Sequence, residues 1–106
     1  MSYTKSMEIE QYIKSILKIK PSSRQYSDVE GMYDNIVLSE QQGASKIRCE
    51  KRVQKLLKYL VRVMDKLIKK QPSLHAQFDE LKERVPYMES SSDVLNLYEN
   101  IRHLSD

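Results

Sequence analysis

Three side chains in this sequence belong to the types that most often serve as nucleophiles, general bases or soft metal ligands: Cys49, His75 and His103. Metal sites built from such residues need ligands at short, regular spacing, and these three are widely separated. A cysteine nucleophile needs a basic partner, and the sequence identifies none for Cys49. Cys49 falls on an apolar helical stripe and reads as a small core residue. His75 and His103 read as surface residues, the second placed near a helix C-terminus where a cation is favourable. A lone cysteine also excludes an internal disulfide and a cysteine-rich zinc site.

The carboxylates Asp79, Glu80 and Glu83 form a second cluster. Glu80 and Glu83 lie three residues apart and share a helix face, as paired acids sometimes do. The Glu-x-x-His companion of di-iron bundles is missing, so the cluster reads as a solvated face. With two glycines in the chain, no glycine-rich loop can cradle a phosphate. The expectation is a non-enzymatic protein with no cofactor and no metal.

The strongest chemical pattern is cationic. Between residues 45 and 70 ten Lys or Arg face two acids, Glu50 and Asp65, while from Gln71 onward three cations face seven acids. Lys51, Lys55, Lys58, Arg62, Lys66 and Lys69 fall on one side of a helix, with Tyr59 projecting among them to stack on a base or cover a lipid headgroup. Like charges one turn apart repel by a few tenths of a kcal/mol per pair, a cost small enough to be tolerated without a function. Three readings of this face stand open. It is a solvated surface neutralised internally by the acidic C-terminal third, a surface for an anionic protein or membrane, or a nucleic-acid surface. The last is the weakest, given a net charge of +3 and no reading motif.

These residues must be positioned by helices. The chain has only two glycines and three prolines, which suits helices joined by short connections better than a many-turned β protein. A first helix is expected over residues 4–20, burying Ile9, Ile13, Ile16 and Leu17 with Tyr12 beside them, and stopped by Pro21. Ser27-Asp28-Val29-Glu30 matches a capping box, opening a second helix that buries Val29, Tyr33 and Ile36 or Val37 and stops near Gly43. Gly31 weakens that helix.

The third helix, residues 45–70, carries two adjacent apolar stripes: Cys49, Val53, Leu56, Leu60, Val63 and Leu67, then Leu57, Val61, Met64 and Ile68. Together they cover about 160° of the circumference, so this helix must touch at least two neighbours. Pro72 opens a fourth helix with Leu74, Phe78, Leu81 and Val85 inward, and Pro86 ends it. The run Ser90-Ser91-Ser92-Asp93 offers N-caps for a last helix burying Val94, Leu97 or Tyr98, Ile101 and Leu104. The expected architecture is all-α: a single domain over residues 1–106, an antiparallel four- to five-helix bundle around a long central third helix.

The first eight residues lack the apolar run of a secretory signal, and residues 56–64 are broken by Lys58 and Arg62, so no bilayer span is expected. A cytoplasmic protein follows as the expectation, with a place at the inner membrane face left open.

Over Tyr26 to Arg84 the chain resembles the small immunity proteins of the enterocin A type, which protect bacteriocin producers from pediocin-like peptides. The resemblance rests on Tyr26-Ser27-Asp28-Val29 opening the second helix, Leu56-Leu57-Lys58-Tyr59-Leu60 in the third, and Ser73, Gln77 and Leu81 in the fourth. It implies a cytoplasmic four-helix bundle at the inner membrane face, acting on the bacteriocin's membrane receptor, a mannose-type sugar transporter. In that family the C-terminal half governs which bacteriocin is resisted. Here the helix expected over residues 92–104 stands where the family carries a short irregular tail, so no specificity residue is carried over. The alternatives are a regulatory or assembly protein, phage- or virus-encoded, that docks a larger protein partner, and a basic-helix nucleic-acid binder. A homodimer through leftover apolar surface is a further partner expectation.

Overall fold

The longest element forms where the sequence leaves the backbone no competing option. Residues Lys46–Lys70 hold no glycine and no proline, their apolar residues apart from Ile47 keep helical phase, and they fold as one 25-residue helix. At 1.5 Å per residue it is about 37 Å long. Ser45 caps its start, the hydroxyl accepting from the Arg48 N–H at 3.3 Å. Lys69 and Lys70 sit in its last turn, where the helix dipole favours positive charge. The structure is a computed structural model, and it describes residues 2–19, 29 and 31–106.

In chain order the described α-helices are α1 (Ser2–Leu17), α2 (Met32–Gln41), α3 (Lys46–Lys70), α4 (His75–Arg84) and α5 (Ser91–Ser105). Single 3₁₀ turns at Pro72–Leu74 and Val85–Tyr87 lead into and out of α4. Each begins with or contains a proline, which lacks the N–H that a longer helix would need there. The fold is an all-α bundle with no strand among the described residues. The Cα radius of gyration, 13.5 Å, is close to the ~13 Å of a single packed domain of this length.

Helix α3 touches each of the other four, which makes it the hub the double stripe required. Val53, Leu56, Leu57, Leu60, Val63 and Met64 are all 0–1% exposed. Around them close Ile9 and Ile13 of α1, Ile36 of α2, Phe78 and Leu81 of α4, and Val94, Leu97, Tyr98 and Ile101 of α5. The one phenylalanine, with no tryptophan beside it, leaves aliphatic side chains to fill most of this core.

Two helix ends differ from the expected ones. Helix α1 stops at Leu17, short of residue 20 and before Pro21 is reached. Lys18 adopts a left-handed φ of 55°, and the Ile19 N–H turns back to the Lys14 carbonyl at 3.1 Å. This C-terminal reversal satisfies an orphan carbonyl and folds Ile19, 9% exposed, onto the core. Helix α2 starts at Met32 because Gly31, at φ 76°, is left-handed and cannot lie inside a right-handed helix. Its N–H donates to the Glu10 carboxylate of α1. Val29, Tyr33 and Ile36 are buried as expected, and Val37 is half-buried. The capping residues Ser27, Asp28 and Glu30 lie outside the described residues, as do Pro21 and the expected connection around residues 22–25.

The last helix begins as the serine run indicated. Ser90 is its N-cap: the Ser90 hydroxyl accepts from the Asp93 N–H at 3.3 Å, and the Asp93 carboxylate accepts from the Ser90 N–H at 3.2 Å. This reciprocal pair satisfies two donors that a bare helix start would leave open.

Candidate functional site

Buried residues of α3 fix which way its polar side looks. At about 100° per residue, the six cations Lys51, Lys55, Lys58, Arg62, Lys66 and Lys69 fall within an arc of about 80°, diametrically opposite the buried stripe. All six are exposed. From Lys51 to Lys69 the row runs about 27 Å along the helix. Shallow open hollows along it are lined by Lys55, Lys58, Tyr59 and Arg62, and next to these by Ile47, Glu50, Lys51 and Gln54. Ile47, 67% exposed, sits at the N-terminal end of the same side.

Tyr59 lines one of these hollows beside the cations. It is half-buried and packed against the edge of the core. The Arg62 guanidinium lies 5.7 Å from its ring centroid, a cation–π contact one turn along the helix. Tyr59 therefore steadies one member of the row.

The acidic C-terminal third was the internal candidate for neutralising this row; five of its seven carboxylates are occupied elsewhere, and the other two, Glu83 and Glu99, are exposed and make no ion pair with the row. Asp79 pairs with His75 at 3.1 Å, Glu80 with Arg84 at 3.2 Å, and Asp106 with Arg102 at 4.0 Å. Asp93 caps α5. Glu89 reaches one α3 cation, Lys46 at 3.4 Å, which lies outside the row. Asp65, the acid interrupting the row in sequence, is engaged by Lys82. Among the described residues, none of the six row cations makes an ion pair.

The other candidate groups do not converge. Cys49 is buried, its Sγ 4.0 Å from the Ala44 carbonyl oxygen. His75 opens α4 and His103 lies near the end of α5, both exposed and remote from Cys49 in the sequence. Glu80 is held by Arg84 while Glu83 is exposed, so the carboxylates of α4 do not act as a pair. Among the described residues no group of three or more His, Cys, Asp or Glu is placed to hold a metal ion. No helix among them is long and apolar enough to cross a membrane.

One polar cluster escaped sequence reasoning. The Tyr98 hydroxyl donates to Glu8 at 2.6 Å and accepts from Arg102 at 2.8 Å. The Arg102 guanidinium also lies over the Tyr12 ring, 5.2 Å from its centroid, and Tyr12 meets Tyr98 edge-on at 5.5 Å. Burial, with the Glu8 hydrogen bond second, pushes the Tyr98 hydroxyl up to about 12. Such a phenol holds its proton at neutral pH and is a clasp between first and last helices, not a base. The local trace in the sequence is the one-turn spacing of Glu8 with Tyr12 and of Tyr98 with Arg102. Nothing local says that the two pairs meet.

No family model, curated protein or solved structure matches the chain. The geometry of the α3 row therefore carries the functional argument.

Proposed function

We propose that this protein is a non-enzymatic helical binding module of the bacteriocin-immunity type, working from the cytoplasmic side at the membrane receptor of a pediocin-like peptide. The observation that supports it is the α3 row: six exposed cations within about 80° of arc, turned away from the core and left without acidic partners among the described residues. A merely solvated face gains nothing from such alignment, since like charges at one-turn spacing repel. An anionic surface at the receptor's membrane face converts that repulsion into attraction. The sequence resemblance supplies the immunity role and the receptor.

Expression in a strain sensitive to pediocin-like peptides tests the proposal. The protein should raise the killing dose of at least one peptide, and the Lys55→Gln/Lys58→Gln/Arg62→Gln variant should lose most of that protection while staying folded. Unchanged killing across a panel of such peptides sinks the immunity role.

A second reading, a regulatory or assembly protein docking on a larger partner, draws support from Tyr87. This side chain is 84% exposed beside a depression lined by Arg84, Met88, Asn96 and Asn100. Exposed aromatics of this kind anchor protein interfaces. That reading predicts that affinity capture from the source cell recovers one stoichiometric protein, and that Tyr87→Ala releases it.

A further inference from the structure

We infer that the anion met by the α3 row is the lipid leaflet itself: the row is an electrostatic adsorption surface for phosphate-bearing headgroups of an anionic bilayer. This deepens the proposed function and rests on it only for the placement of the protein at a membrane. Three observations select a lipid surface over an acidic protein segment or a nucleic acid.

The first is the kind of cation. Five of the six are lysines, compact charges on flexible stems that suit a diffuse and mobile anionic layer. Directed recognition uses the planar arginine fork, and of the two arginines that flank the row, Arg48 and Arg52, the second is spent inside the protein. It donates to the Ser39 hydroxyl at 2.8 Å and to the Asn35 carbonyl at 3.5 Å.

The second is shape. The hollows along the row are lined by α3 residues, and among the described residues no second helix lines them to make a groove. A peptide helix docks in a groove with apolar anchors, whereas a straight row of about 27 Å on a convex helix meets a plane.

The third is Ile47. An apolar side chain 67% exposed at the end of a cationic row has no counterpart on a phosphate backbone, but it can enter the boundary between headgroups and acyl chains. The apolar stripes of α3 stay in the core, so adsorption is electrostatic, reversible and sensitive to salt. Each cation near an anionic leaflet contributes about five-fold in affinity, or about 1 kcal/mol.

The experiment is co-sedimentation of the purified full chain with vesicles of phosphatidylcholine alone and of phosphatidylcholine with phosphatidylglycerol at 3:1, with a short duplex DNA as a third probe. Binding is expected to the anionic vesicles at low salt, with little to the zwitterionic ones, and it should vanish near 0.5 M salt. The Lys55→Gln/Lys58→Gln/Arg62→Gln variant, checked for helicity, should bind anionic vesicles about 100-fold more weakly. A control of equal charge loss off the row, Lys5→Gln/Lys18→Gln/Arg84→Gln, should stay within a few-fold of the parent. The inference is overturned by absent binding to anionic vesicles at low salt, by a control that falls as far as the row variant, or by tighter binding to the duplex. Vesicle binding is scored apart from protection. A protein that protects cells but ignores vesicles keeps its proposed function and loses this inference, and the reverse result separates the two the other way.

Discussion

The Tyr98 hydroxyl donates a hydrogen bond of 2.6 Å to the Glu8 carboxylate, joining the last helix to the first across 90 residues of chain. Arg102 donates to the same hydroxyl, so the phenol bridges an anion and a cation at the edge of the core. Its ring is 1% exposed, which makes it both a packing element and a polar clasp.

Tyr98→Phe keeps the ring and removes the bridge. The expected cost is about 1–2 kcal/mol, read as a lower urea midpoint with an unchanged slope. The pH dependence should change with it. Tyr98 is raised from 10.0 to about 12, so the folded state keeps a proton that the unfolded chain has already lost. Stability contributed by this group is complete below pH 10 and falls as pH rises from about 10 to 12. Glu8 is shifted the other way: the Tyr98 hydrogen bond, aided by Lys5 and Arg102 and opposed by burial, holds it below 4.5. Its contribution is present above about pH 4.5 and is lost as pH falls through the folded value. Unfolding curves from pH 3 to 11.5 should show both slopes in the parent. In Tyr98→Phe the alkaline slope should lose the part due to Tyr98, and the acid slope should be weaker.

Neutralising the row should not weaken the fold. Gln at positions 55, 58 and 62 removes repulsion between residues one turn apart, so stability should hold or rise by up to about 1 kcal/mol. A fall of more than 1 kcal/mol in urea unfolding shows that the cations serve the structure and takes away the main support for a binding face.

Gly31→Ala isolates a backbone effect. A Cβ at this position meets nothing within 4 Å, so any cost comes from the φ of 76° alone. About 1–2 kcal/mol of destabilisation is expected, with Gly31→Asn milder because asparagine tolerates the left-handed region. Thermal unfolding of the two variants side by side checks the order.

Gln54, on the flank of the cationic row, ties α3 to the turn after α4. Its side-chain amide donates to the carbonyls of Val85 and Met88, both at 2.9 Å. Gln54→Ala should cost about 1–2 kcal/mol by leaving both carbonyls without this donor. Hydrogen exchange should also quicken at the start of α5, which follows that turn.

The sequence by itself determined α3, the face it buries and the face it presents, because helical periodicity is a property of neighbours three and four residues apart. It likewise determined the stops near Pro72 and Pro86 and the cap at Ser90, since these act through the chain's own local backbone. Only the tertiary structure decided where α1 ends, because a lysine in left-handed conformation is held there by the burial of Ile19. The start of α2 was half legible: Gly31 was visible as a weak point, but its left-handed turn is braced by Glu10 from another helix. The fate of the cationic row also belonged to the tertiary level. Composition placed an acidic third beside a basic helix and left their pairing open. Packing sent Asp79, Glu80, Glu89 and Asp106 to other partners, because ion pairing depends on separations of a few ångströms that no local pattern specifies. Glu8 and Tyr98 show the same limit from the other side, a contact formed only when the two ends of the chain are folded onto one hub.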